Sequence, residues 1–186
     1  MIGALLAGGA GRRLGAVSKP AALLAGRPLI SFPAAALLTV CDRVAVVCKP
    51  DTTLPELPGV ERWEEPAEPR HPLTGIIAAL EQAEAAVLVC AGDMPFVTGD
   101  ACRTLWDAAG GGLAVVAVAD GELQPVFGLY APAALERLRA APADAPLRET
   151  VASLEPTRVA LPPALLRSVN TPEDLAAAEA ALAAGP

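Results

Sequence analysis

The chain has 186 residues, enough for one domain with a sizeable core. Hydrophobic residues make up 53% but aromatics only 3%, so that core must be built from many small aliphatic contacts. A net charge of −7 disfavours nonspecific binding to nucleic acid or to anionic membranes, but a few local amides and cations suffice to hold a nucleotide phosphate.

Ile2 to Ala7 is a short apolar run that ends in glycines and reads as a buried strand feeding a loop. Residues 29–40 predict a helix with Pro33 in its first turn. Val44 to Cys48 is a second buried strand, Lys49 to Leu57 a proline-broken loop, and Val60 to Trp63 a short third strand. Glu64 to Pro72 is polar and is expected to be an exposed loop, with the acidic Glu61–Glu68 stretch solvated. Thr74 to Glu84 is helical, with Ile76, Ile77 and Leu80 on one face. Ala86 to Ala91 is the fourth strand and stops at Gly92-Asp93-Met94-Pro95. A helix over 99–109 leads to a strand at Leu113 to Ala119, a turn at Gly121-Glu122 and a strand at Gln124 to Tyr130. Helices at Pro132 to Ala140 and 145–154, a short strand at 157–161 and a closing helix at Pro172 to Ala183 complete the chain. There Thr171 is expected to cap the helix, with Asp174 closing a capping box.

Apolar strands alternating with helices imply a mainly parallel sheet covered on both faces, a three-layer α/β/α architecture of Rossmann-like type. Ligands of such open sheets bind beyond the carboxyl ends of the strands. The loops after strands 2–7 and 86–91 both belong to that edge. No internal repeat or linker is visible, and residues 1–186 read as one domain. The cysteines at 41, 48, 90 and 102 form no close pair, so they read as buried free thiols in a reducing compartment and not as a zinc site. The longest uncharged stretch, Pro28 to Cys41, is too short to span a bilayer, and no signal peptide is visible. A cytoplasmic protein with no nucleic-acid or membrane partner is expected.

Gly8, Gly9 and Gly11 let the backbone bend tightly and approach a phosphate, with amide N–H groups aimed at its oxygens. Arg12, Arg13 and Lys19 add charge to offset a polyphosphate. Pro20 directly after Lys19 breaks the P-loop pattern. Leu14 and the Cys48-Lys49 strand end break the dinucleotide fingerprint. Asp93, after a buried strand, is placed to hold Mg2+, which bridges phosphate oxygens.

Both loops, together with other segments, resemble the nucleotidyltransferase family that includes molybdenum cofactor guanylyltransferase. The matching segments are Leu6-Ala7-Gly8-Gly9 with Arg13, Gly15 and Lys19; Gly26-Arg27-Pro28-Leu29; and Pro72-Leu73-Thr74-Gly75-Ile76. They continue with Gly92-Asp93-Met94-Pro95, Gln124-Pro125-Val126-Phe127 and Asn170-Thr171-Pro172-Glu173-Asp174-Leu175. They run in order over nearly the whole chain. The resemblance implies a nucleotide-diphospho-sugar transferase type of fold and GMP transfer from GTP to molybdopterin or its molybdenum complex. It also implies Mg2+ as cofactor, and transient contact with molybdoenzymes or cofactor carriers.

On that resemblance Leu6, Ala7, Gly8 and Gly9 contact the nucleotide, Arg13 and Lys19 hold its phosphates and act in catalysis, and Asp93 binds Mg2+ and the nucleotide. The acidic nucleotide-binding position corresponds to Glu64, with Glu65 adjacent. Gln124 and Asn170 are the candidates for the acceptor. Three positions depart from the family pattern: Glu64 stands where aspartate is common, and Ser168 and a position near Val47 stand where asparagine is usual, so base preference and pterin contacts are less clearly written than the reaction type. The same chemistry with another base or acceptor, such as cytidylyl transfer, and a non-catalytic cofactor-binding module are the alternatives. Lys49 reads either as a phosphate ligand or as a solvated residue, and His71 as a surface-loop residue.

Overall fold

The computed structural model describes residues 1–8, 21–142 and 145–184. Nine strands are assigned among them: β1 (Ile2–Leu6), β2 (Leu23–Leu24), β3 (Arg27–Pro28), β4 (Arg43–Cys48), β5 (Val60–Glu64), β6 (Val87–Ala91), β7 (Ala114–Ala119), β8 (Glu122–Tyr130) and β9 (Thr157–Ala160). The helices are α1 (Ser31–Leu38), α2 (Pro72–Ala83), α3 (Gly99–Asp107), α4 (Leu135–Ala140), α5 (Leu147–Ala152) and α6 (Pro172–Ala184). Short 3-10 turns occupy Pro132–Ala134 and Pro163–Leu166.

Seven strands form one sheet in the order β5-β4-β1-β6-β8-β7-β9, and β2 and β3 make a separate hairpin. The pairs β4/β5, β1/β4, β1/β6 and β7/β9 are parallel. Only β8 runs against its neighbours, β6 and β7. It enters through a two-residue turn with Asp120 and Gly121 at φ 51° and 80°, the left-handed pair that suits a tight hairpin. That turn lies one residue earlier than the Gly121-Glu122 expected, so the strand begins at Glu122. The sheet is thus mainly parallel, as the apolar strand runs imply.

One face of the sheet is covered by α1 and α3, whose Leu37, Ala101, Cys102 and Leu105 join Leu5, Val46, Leu88 and Phe127 in one buried cluster. The other face is covered by α2, α4 and α5, through Ile76, Leu80, Leu138 and Val151 against Ala4, Val47 and Val89. The three-layer α/β/α arrangement follows from strands with apolar side chains on both faces. All four cysteines are buried and free. Burial raises the thiol of Cys41 to about 11 and that of Cys102 to about 12, so they behave as small apolar core residues.

Leaving β1, the chain builds β4 and β5 to one side and then returns to β6 on the other. Such a reversal opens a crevice at the carboxyl ends of the two strands where the order switches, here β1 and β6. The β2–β3 hairpin, invisible to hydrophobic periodicity because each strand has two residues, packs with Val169 and Ala178 of the C-terminal segment in a small satellite cluster. Ala178 is the one buried residue of α6, and Leu182, expected on the same apolar face, is exposed. Thr171 and Asp174 close the expected capping box: Asp174 N–H donates to Thr171 Oγ1 at 3.1 Å, and Thr171 N–H to Asp174 Oδ2 at 2.9 Å. His71 is the N-cap of α2, its Nδ1 accepting from Leu73 N–H at 3.3 Å, a more specific role than a surface-loop residue. No described helix is long and apolar enough to cross a membrane.

Candidate active site

The carboxyl edge of the sheet gathers one polar or glycine position from nearly every strand end. Leu6 ends β1, Ala7 N–H donates to Val47 O at 2.9 Å, and Gly8 follows, buried. Gly92, just past β6, donates its N–H to Leu6 O at 3.0 Å, locking the Asp93 turn beside the exit of β1. A Cβ on Gly92 would lie 3.1 Å from Ile30 and 3.3 Å from Leu6 O, so a side chain there would strain this approach. Gln124 lies beyond the β6–β8 pairing, which stops at Cys90 with Phe127, and so reaches the same edge. A shift in the β7–β8 register between Val116 and Ala117 absorbs Pro125, and Tyr130 donates its hydroxyl to Pro125 O across it at 2.5 Å.

The most demanding chemistry at this edge is a buried ion pair. Lys49, the first residue after β4, and Glu65, the first after β5, have side chains 0% and 2% exposed, with Nζ 3.5 Å from Oε2. Lys49 also donates to Pro66 O at 2.7 Å and Pro69 O at 2.8 Å, so its ammonium is neither solvated nor open to a phosphate. Among the described residues Glu65 Oε2 accepts no hydrogen bond. The carboxyl is pushed above the usual glutamate range by burial, against the pull of Lys49. Two glycines make its room. A Cβ on Gly8 would fall 1.4 Å from Glu65 Oε1, and one on Gly75 would fall 3.4 Å from Oε2 and 3.0 Å from Leu6 Cδ2. The glycine of the Pro72-Leu73-Thr74-Gly75 segment thus keeps α2 close to both β1 and Glu65.

Glu64 is 61% exposed and pairs with Arg62 at 3.7 Å on the outside of β5, and the carboxylate that meets Gly8 is that of its neighbour Glu65. The expected solvated loop holds a buried carboxylate at its centre. Strand alternation alone would not have found it: Glu61, two residues before the buried Trp63, is exposed, whereas Glu65, two after it, is buried beside Lys49.

A model of the MobA-like NTP transferase domain matches residues 3–158. The chain belongs to the MobA-like NTP transferase family. It is 36% identical to a molybdenum cofactor guanylyltransferase of Cereibacter sphaeroides, over 98% of this chain and 97% of that protein. A probable molybdenum cofactor guanylyltransferase of Natronomonas pharaonis is 30% identical, over 93% and 94%. The fold superposes with a TM-score of 0.75 on molybdopterin-guanine dinucleotide biosynthesis protein A of Archaeoglobus fulgidus, at 24% identity over 99% and 100% of the two chains. It also superposes with a TM-score of 0.71 on a 2-C-methyl-D-erythritol 4-phosphate cytidylyltransferase of Thermus thermophilus, at 21% identity over 97% and 98%.

Within this MobA-like frame the described candidates gather at the carboxyl edge of the sheet. Leu6, Ala7, Gly8 and Asp93 lie at the crevice between β1 and β6, with Glu65 against Gly8. Asn170 lies beside the Asp93 turn, because Val169 N–H donates to Asp93 O at 2.9 Å. Val47 of β4 is fully buried on the sheet face covered by α2, and its side chain offers no polar group. Gly9, Arg13 and Lys19 lie outside the described residues.

Proposed function

We propose that this MobA-like chain transfers the GMP unit of GTP to the terminal phosphate of molybdopterin or of its molybdenum complex. An oxygen of the acceptor phosphate forms a bond to the α-phosphorus. The bond from that phosphorus to the bridging oxygen breaks, and pyrophosphate leaves with the electron pair. The observation that carries this reading is the near-full-length similarity to molybdenum cofactor guanylyltransferases, laid on a carboxyl edge where Gly8 and Asp93 flank one crevice.

The chain's own part is positioning and charge. The backbone at Leu6 to Gly8 approaches the nucleotide, and Arg13 and Lys19 hold its phosphates, so that attack is oriented and the developing charge offset. Glu65, whose Oε2 faces Lys49 but accepts no hydrogen bond among the described residues, offers a carboxylate acceptor for a nucleotide N–H or O–H at the wall formed by Gly8 and Gly75. Among the described residues no group of three or more His, Cys, Asp or Glu forms a metal cage. Mg2+ needs none, since one or two carboxylates plus substrate phosphates suffice, and Asp93 fits that role. Bound there, Mg2+ would withdraw charge from the phosphate oxygens.

The test is pyrophosphate release from each of the four nucleoside triphosphates with molybdopterin present. GTP is expected to support it. Release from CTP in place of GTP would reassign the base, and release from none would sink the reaction.

A further inference from the structure

Arg167 follows the 3-10 turn in extended backbone, φ −66° and ψ 128°, and its guanidinium lies 4.7 Å over the ring of Phe96. Phe96 is three residues past Asp93 and packs into the satellite cluster with Val169, Leu24 and Leu29. The backbone bond from Val169 N–H to Asp93 O joins the two segments, so Arg167 and Asp93 stand on one continuous piece of the carboxyl edge. Arg43, Arg62, Arg70, Arg139 and Arg148 each have a carboxylate partner. Arg167 has none, and forms no hydrogen bond, among the described residues; Arg27, 4.6 Å over Phe32, shares that state but sits on the β2–β3 hairpin and not on the segment bonded to the Asp93 turn. Stacking on a ring fixes the plane of a guanidinium and leaves its N–H fork free at the edge. In a chain of net charge −7, a stacked and unneutralised cation on the segment bonded to the Asp93 turn calls for an anionic partner.

We propose that Arg167, steadied by Phe96, binds the phosphate of the acceptor. This rests on the reading of the chain as a nucleotidyltransferase with a phosphorylated acceptor. Two anionic phosphates must approach each other for the attack, and the fork of Arg167 takes the incoming one in bidentate fashion while the glycine loop holds the other. Arg167 is a binding residue in this scheme and does not act on the α-phosphorus.

Wild type is assayed first for pyrophosphate release with GTP and molybdopterin; no release overturns the functional reading and this inference together. Arg167→Ala is then expected to raise the KM for molybdopterin roughly 10- to 100-fold, the usual cost of losing a charge-assisted hydrogen-bond pair. GTP affinity, measured calorimetrically without acceptor, should stay within about twofold of wild type, the scale of a change at a site the ligand does not touch. Arg167→Lys should fall between, keeping charge and losing the fork. Arg137→Ala, an exposed arginine on α4, serves as the unaffected control. An unchanged acceptor KM in Arg167→Ala, with wild type active, overturns the inference alone. So does an equal loss of GTP affinity, which would place Arg167 on the nucleotide side.

Discussion

Replacing Lys49 by Met leaves the Glu65 carboxylate buried with no cation and strips Pro66 O and Pro69 O of their donor. Breaking a buried pair from one side costs about 3–5 kcal/mol, because the remaining charge is uncompensated. At an unfolding entropy of about 2.1 cal/mol/K per residue, this 186-residue chain should lose about 8–13 °C in Tm near neutral pH. The loss depends on pH. Burial already holds the Glu65 carboxyl above its ordinary value of 4.5, so the folded state keeps that proton to higher pH than the unfolded chain. The stability this confers is complete below the ordinary value and is lost as pH rises through the folded value. Without Lys49 the folded value climbs further, and the Lys49→Met penalty should therefore be small near pH 4.5 and grow toward pH 8. Thermal unfolding across that range, with Lys49→Met/Glu65→Gln alongside, measures it. The double variant should recover part of the loss. A pH-independent penalty, or no recovery, would refute the argument that the pair is coupled by burial.

Gly8→Ala should cost about 1–3 kcal/mol by overpacking, since its Cβ would overlap Oε1 of a Glu65 carboxylate that is buried and paired with Lys49. In a Glu65→Ala background that penalty should shrink, and denaturant unfolding showing an equal cost in both would contradict the contact. Asp93→Ala and Lys19→Ala should each lower kcat by about 10²–10³-fold with the fold intact, the scale of losing one electrostatic stabiliser. Chelation of Mg2+ should stop turnover of wild type as well. Near-normal pyrophosphate release in either variant would remove that residue from the mechanism.

Much of the fold was legible because the strands are apolar throughout and short, and the helices between them are periodic or capped. Val44 to Cys48 and Val87 to Ala91 are fully buried parallel strands, and nothing but a covered sheet accommodates them. The β2–β3 hairpin was not legible, because two-residue strands carry no period and its turn puts Ala25 as well as Gly26 at positive φ. The reversed direction of β8 is written only in the brevity of the Asp120-Gly121 turn, which cannot return a chain to a parallel neighbour. At the site, the glycines and Asp93 stood out because each follows an apolar run. Glu65 and Lys49 did not, because single residues at strand ends look solvated until the sheet brings β4 and β5 side by side. Arg167 was hidden for the same reason: its ring partner is distant in sequence.

The proposed reaction cleaves GTP between its α- and β-phosphates and passes the α-phosphate to the acceptor. GTP labelled at the α-phosphorus, incubated with molybdopterin, Mg2+ and this chain, should pass its label into the pterin product, while GTP labelled at the γ-phosphorus should yield labelled pyrophosphate. Label from the γ-position appearing as orthophosphate, with none from the α-position in the pterin, would contradict it.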